Sequence, residues 1–223
     1  MRRRRSLVGG FGGSGSSSGD ADAAAWIAAV NGAGGTVSGG RAALVTALIG
    51  ALKGGGIWSS LDRLWVFAAE NSQSALIDMK ARATATLPVA PTFTIDRGYA
   101  GNGSTQYINT GFNASTAGGN YVQNDAMMGA WVETAQSGVT RTQYIGNDFG
   151  AFWSIIGHQN GTTIEYGLQS TNQATFAFST ETGLWSAQRT ASNAQALFKD
   201  GASVATSSNV SNETMHPVLL QHV

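Results

Sequence analysis

From Pro91 to Thr206 the chain breaks into short runs in which apolar and polar residues alternate, each closed by Gly, Asn, Ser or Asp. The runs are "TFTIDRG", "TQYINTGFN", "AMMGAWVET", "TQYIGND", "AFWSIIGHQ", "TTIEYGLQ", "ATFAFST", "GLWSAQRTAS" and "AQALFKDGASVAT". A period of two puts alternate side chains on opposite faces of a strand, and many short strands with regular turn signals predict a β-sandwich. Asp200-Gly201 between "QALFK" and "ASVAT" is a hairpin signal, because both residues tolerate the positive φ that a tight turn demands. Asn160-Gly161 has the same role between "SIIGHQ" and "TTIEYG". The 85–223 segment is therefore expected to be a β-sandwich domain.

Upstream, the periodicity lengthens. In 20–84, "ADAAAWIAAVNG" has Asp20 or Asp22 to cap it and Asn31-Gly32 to end it. "SGGRAALVTALIGALKGGG" carries Leu44, Leu48 and Leu52 at i, i+4, i+8, with Val45 and Ile49 alongside. That spacing predicts a helix with one broad apolar face, stopped by the triple glycine. "WSSLDRLWVFAAENSQSALIDMK" is a third apolar segment expected to pack with these helices. Residues 1–19 are different again: four arginines, then "SLVGGFGGSGSSSG", a Gly/Ser-rich linker that cannot bury enough surface to fold alone.

Charged residues make up 12% of the chain, so Ser, Thr, Asn, Gln and Gly must cover its surface. Such a surface suits repeated assemblies and exposed adhesive proteins better than a cytosolic enzyme. There are no cysteines, which removes disulfides and thiolate metal sites. Net charge is zero, yet Arg2, Arg3, Arg4 and Arg5 form a basic arm on a mildly acidic body. Four charges with no aromatic residue among them predict no specific nucleic-acid binding. The arm lacks the apolar core of a signal peptide, so export by the usual route is not expected, and no apolar run approaches a membrane span. Leu7, Val8 and Phe11 are apolar beads suited to plugging a partner's groove.

The residues "FTIDRGYAGNGSTQYINTGFN", "AMMGAWVET" and "LWSAQRTASNAQALFKDGASVAT" together resemble the concanavalin A-like (laminin-G-like) jelly-roll modules of bacteriophage and prophage structural proteins. The "ALVTALIGALKGGGIWSSLDRLWVFAAENSQSALIDMKA" stretch looks like the helical lead-in of such modules, so the resemblance spans Ala42 to Thr206. It implies a mainly β jelly roll preceded by a small helical region and a flexible arm, as on tail fibres, head fibres and decoration proteins. It also implies further strands after "GASVATSSNV". This chain runs "SNETMHPVLLQHV" instead, so the domain is expected to lack its final strands or to close with a shortened edge from Val218 to Val223, its exposed backbone covered by a neighbouring subunit or partner.

Gly98, Gly101, Gly103 and Gly111 raise the question of a phosphate cradle. Such loops need a strand before and a helix after, so that backbone N–H groups face the anion. Here the glycines interleave with Tyr99, Tyr107 and Ile108, and "DRGYAGNGSTQYINTGFN" is read as a β-hairpin of the sandwich.

Candidate chemistry is sparse. Glycoside hydrolysis needs two carboxylates flanking the scissile bond, but Asp96, Asp125, Glu133, Asp148, Glu165, Glu181, Asp200 and Glu213 stand apart in sequence. His158 is expected at a solvent-facing strand end, and no G-x-S-x-G elbow exists. Calcium on rim loops, which the resemblance implies, has only Asp125 and Asp148 as candidate ligands; no other cofactor is expected. Tyr99, Asn102, Tyr107, Asn147 and Trp153 are conceivable sugar contacts, while Trp131, Trp153 and Trp185 are expected in the core.

The sequence thus predicts a non-enzymatic virion surface protein of fibre or spike type, made in the bacterial host cytoplasm. Arg2–Arg5, Leu7, Val8 and Phe11 would anchor it to other virion proteins, and the lectin-like jelly roll would face host-surface glycan. Homo-oligomers are expected. A capsid decoration or head-fibre protein that mainly binds the shell is the near alternative. A jelly-roll carbohydrate-active enzyme is the alternative of another class.

Overall fold

The computed structural model describes residues 19–117, 119–136, 141–149, 152–170, 172–211 and 217–221. Two helices open it. In α1 (Ala21–Gly32) the Asp20 carboxylate accepts from the Asp22 and Ala23 N–H groups. In α2 (Gly39–Gly54) the Ser38 hydroxyl accepts from Arg41 N–H. Both caps satisfy N–H groups that the first helical turn leaves orphaned. Trp26, Val30, Val45, Ile49, Trp58, Ile77 and Met79 bury together between them.

The third apolar segment is not a long helix. It contains a 3₁₀ turn at Trp58–Ser60 and a single helical turn, α3 (Ser72–Ala75), around extended chain. Asp78 explains this. Its buried carboxylate accepts from the Leu64, Lys80 and Ala81 N–H groups, while Met79 N–H donates to Leu64 O at 2.7 Å. Backbone groups that a helix would have paired internally are spent on this loop. The expected apolar face of α2 is likewise only half used: Val45 and Ile49 are buried, whereas Leu44 is 63% exposed.

The remaining elements are strands, with one helical turn among them. In order they are β1 (Thr86–Val89), β2 (Thr92–Thr94), β3 (Gly98–Ala100), β4 (Tyr107–Asn113), α4 (Ala114–Ala117), β5 (Ala126–Val132), β6 (Thr142–Phe149), β7 (Phe152–Asn160), β8 (Thr163–Ser170), β9 (Ala174–Ala177), β10 (Gly183–Ala191), β11 (Ala194–Lys199), β12 (Ala202–Ser207) and β13 (Pro217–Gln221). One antiparallel sheet runs β1-β4-β13-β6-β7-β8-β9 and the other β12-β11-β10-β5. They meet on a shared core. Met128, Trp185, Ala187 and Leu197 come from the smaller sheet, and Tyr144, Ile156, Ile164, Tyr166 and Leu168 from the larger. The molecule is mainly β, and its strand region is a β-sandwich.

Two expectations need correction. The "DRGYAGNGSTQYINTGFN" stretch is not one hairpin: β3 pairs with β2 in a separate two-stranded ribbon, and β4 joins the seven-stranded sheet. The Asn102 side chain accepts from the Ser104, Thr105 and Gln106 N–H groups, and this Asx-type turn redirects the chain between them. The C-terminal strand is no shortened edge either. β13 lies between β4 and β6, with Val218 opposite Phe112 and Leu219 opposite Gly146. It fills the middle of the sheet, where both ladders find partners.

The helical region meets the sandwich on the β4 side. Ala75, Leu76, Ala85 and Tyr99 bury against Ile108 of β4, the Asp62 carboxylate accepts from Asn120 and Tyr121 N–H at 2.7 Å each, and Arg63 lies over the Phe112 ring.

Candidate functional site

That outward face is built by strand alternation. In β5, Ala126, Met128 and Val132 point into the core while Met127 (61% exposed) and Trp131 (65%) point out. In β10, Trp185, Ala187 and Arg189 are buried, and Leu184 and Thr190 are exposed. Register turns these into rows. Trp131 stands opposite Leu184, Gly129 opposite Ser186, and Met127 opposite Gln188. The rows continue through Phe198 beside Ser186 and through Ala196 and Thr206 beyond Gln188.

One end is apolar and aromatic, the other hydroxyl and amide. A depression of about 540 Å³ opens at the polar end, lined by Gln188, Thr190, Asn193, Ala194, Thr206 and Ser208 among others. Gln195 also borders it. Its Oε1 is taken by Leu168 N–H and Arg189, while its Nε2 has no partner among the described residues. None of the outward residues in these rows is ionisable. Charge appears at the margins: Trp131 Nε1 lies 3.4 Å from Glu133 Oε2, Arg97 pairs with Glu133 at 3.0 Å, and beside Leu184 the Asp200 carboxylate accepts from Leu184 N–H at 2.8 Å and pairs with Lys199. Gly129, between Met127 and Trp131, adds no side chain and leaves a flat floor beside the indole.

The acids are occupied elsewhere. Glu181 does not stand alone: its buried carboxylate accepts from the Tyr144 hydroxyl and from Gln136 N–H at 2.7 Å, and lies 3.1 Å from His158 Nδ1. His158 is therefore not at a solvent-facing strand end. It is 2% exposed because the alternation of β7 turns it to the Ile164 side, beside Phe178. Burial pushes the Glu181 carboxyl up and the His158 imidazole down, each toward its neutral form. Glu165 is buried against Arg141 at 2.5 Å.

The residues singled out in the sequence do not converge. Asp125 is exposed at the turn before β5, the Asp148 side chain lies outside the described residues, and no group of three or more His, Asp or Glu forms a metal site among the described residues. The arm residues Arg2, Arg3, Arg4, Arg5, Leu7, Val8 and Phe11 also lie outside them, as do the side chains of Asn147 and Trp153. Tyr99 is buried, packs on Phe67 and Phe93 and donates to Ser72 O, so no ligand reaches it. Asn102 is used by its own turn.

Trp131 is the residue that sequence reasoning misplaced. Trp185 is fully buried as expected, but Trp131 faces out. Both alternate sets of "AMMGAWV" are largely apolar, so the alternation has no readable phase. Only the antiparallel pairing with the less ambiguous β10 fixes it. Comparison with protein-family models, with curated proteins and with solved structures gives no match.

Proposed function

We propose that the chain is a non-enzymatic bacteriophage virion surface protein of fibre or spike type. In this reading its sandwich is a concanavalin A-like jelly roll displayed outward, and its N-terminal arm binds other virion proteins. The observation that carries it is the outer face of the four-stranded sheet, whose outward rows expose Trp131, Met127 and Leu184 and carry no ionisable side chain. A displayed module needs such a face for attachment, and weak contacts there gain effective concentration when many copies share one particle. The internal pairing of Glu165 and Glu181 favours binding over hydrolysis, because both carboxylates are engaged by the protein's own side chains.

Quantitative mass spectrometry of purified particles tests the reading. A few copies per particle supports a fibre or spike, and absence from particles overturns the virion assignment. Deletion of residues 1–19 is expected to abolish incorporation while far-ultraviolet circular dichroism stays unchanged. Normal incorporation of the truncated chain would sink the anchoring role.

A further inference from the structure

We infer that the outer face of the four-stranded sheet binds an uncharged oligosaccharide, with Trp131 stacking on one sugar ring and Gln188, Thr190 and Thr206 hydrogen-bonding hydroxyls further along. The inference deepens the attachment role proposed above and rests on it for biological meaning, but the site itself stands on geometry.

Trp131 is 65% exposed and stands opposite Leu184, and its indole is an apolar plate whose one hydrogen-bond partner among the described residues is the Glu133 carboxylate at its rim. Sugar rings present apolar C–H faces to such plates and hydroxyls at their edges. The polar end supplies what the hydroxyls need: amide and hydroxyl groups of Gln188, Thr190, Asn193 and Thr206 around a depression of about 540 Å³. That volume lies in the range of small-ligand sites. Thr190 lies six residue steps along β10 from Leu184, about 20 Å at strand rise. The span fits a short oligosaccharide crossing from plate to depression, rather than a single sugar.

Charge decides the class of ligand. A nucleic acid also stacks on aromatic rings, but it requires cations along its backbone. An acidic polysaccharide has the same requirement. The rows Trp131–Leu184, Gly129–Ser186–Phe198 and Met127–Gln188–Ala196–Thr206 contain no Lys or Arg.

The test is an array of neutral oligosaccharides (hexoses, N-acetylhexosamines and 6-deoxyhexoses) and of uronate- and sulfate-bearing ones, probed with the full chain at physiological salt. Binding to neutral members is expected, weakened about tenfold in Trp131→Ala and less in Trp131→Phe, since stacking contributes roughly 1.4 kcal/mol. Thermal unfolding of W131A should match wild type, because the side chain lies outside the core. Binding only to acidic members, no binding to any member, or equal binding by folded W131A overturns the inference. Particle mass spectrometry separates the two claims. A particle protein that ignores glycans defeats this site alone, and a glycan binder absent from particles defeats the virion reading alone.

Discussion

Arg189 carries its charge into the sandwich without a carboxylate beside it. Its five N–H donors go to neutral oxygens: Leu168 O at 2.7 Å, Ala191 O, Ser192 O at 2.9 Å, Gln195 Oε1 and Asn209 O at 3.1 Å. The guanidinium thus ties β8, the β10–β11 turn and the segment after β12 into one cluster, and every donor is met. Lysine has three donors at one point and cannot serve five separated acceptors. Arg189→Lys is expected to cost about 3 kcal/mol in urea unfolding; a cost below about 1 kcal/mol would show that the cluster relaxes around the smaller head. Glu181 makes a pH-dependent prediction. Its folded-state pKa is raised, so the stability its protonation contributes is complete below the unfolded value and is lost as pH rises through the raised one. Wild type should therefore gain stability relative to Glu181→Gln as pH falls from 7 toward 4.5. Parallel denaturant titrations would reveal it, and a difference constant with pH would contradict the assigned shift.

Among the elements, the hairpin turns were the most legible. Asp200 (φ +49°) and Gly201 (φ +83°) connect Lys199 to Ala202 with the positive torsions that the dipeptide predicts. A Cβ on Gly201 would meet nothing within 4 Å, so Gly201→Ala should cost only the left-handed backbone penalty, about 1 kcal/mol by thermal unfolding. Strand content and the two capped helices were readable for similar reasons, because local torsions and periodicity decide them. What failed to show in the sequence is what depends on distant partners. The extended course of residues 61–69 follows from Asp78, and the outward turn of Trp131 follows from its ladder with β10. The central placement of β13 follows from two strands far upstream. Removing residues 217–223 should leave facing edges of β4 and β6 unpaired and abolish cooperative unfolding, measured by near-ultraviolet circular dichroism. A truncated chain that still melts cooperatively would mean the sheet closes without β13.

For the molecule as a whole, Asp22 is a hub of the helical region. It pairs with Lys53 at 2.7 Å and Arg82 at 2.5 Å, joining α1, the end of α2 and the strand-entry segment. The Lys53 ammonium first, and then the Arg82 guanidinium, holds its carboxyl down at about 2. The stability this contributes is present above the ordinary carboxylate pKa and lost as pH falls from near 4 through 2. Asp22→Asn should accordingly unfold at lower temperature than wild type at pH 5, and the gap should narrow at pH 2.5. Scanning calorimetry at both values checks this. The position of β13 also bears on how the sandwich assembles. β6 to β8 and β10 to β12 are chains of hairpins whose partners lie a few residues away, and they can form early. β4 can pair with β1 nearby, but its other edge must wait for a strand roughly a hundred residues downstream, and loop closure over that distance precedes any reward. The β13 ladders are therefore expected to form last, completing the seven-stranded sheet from its middle.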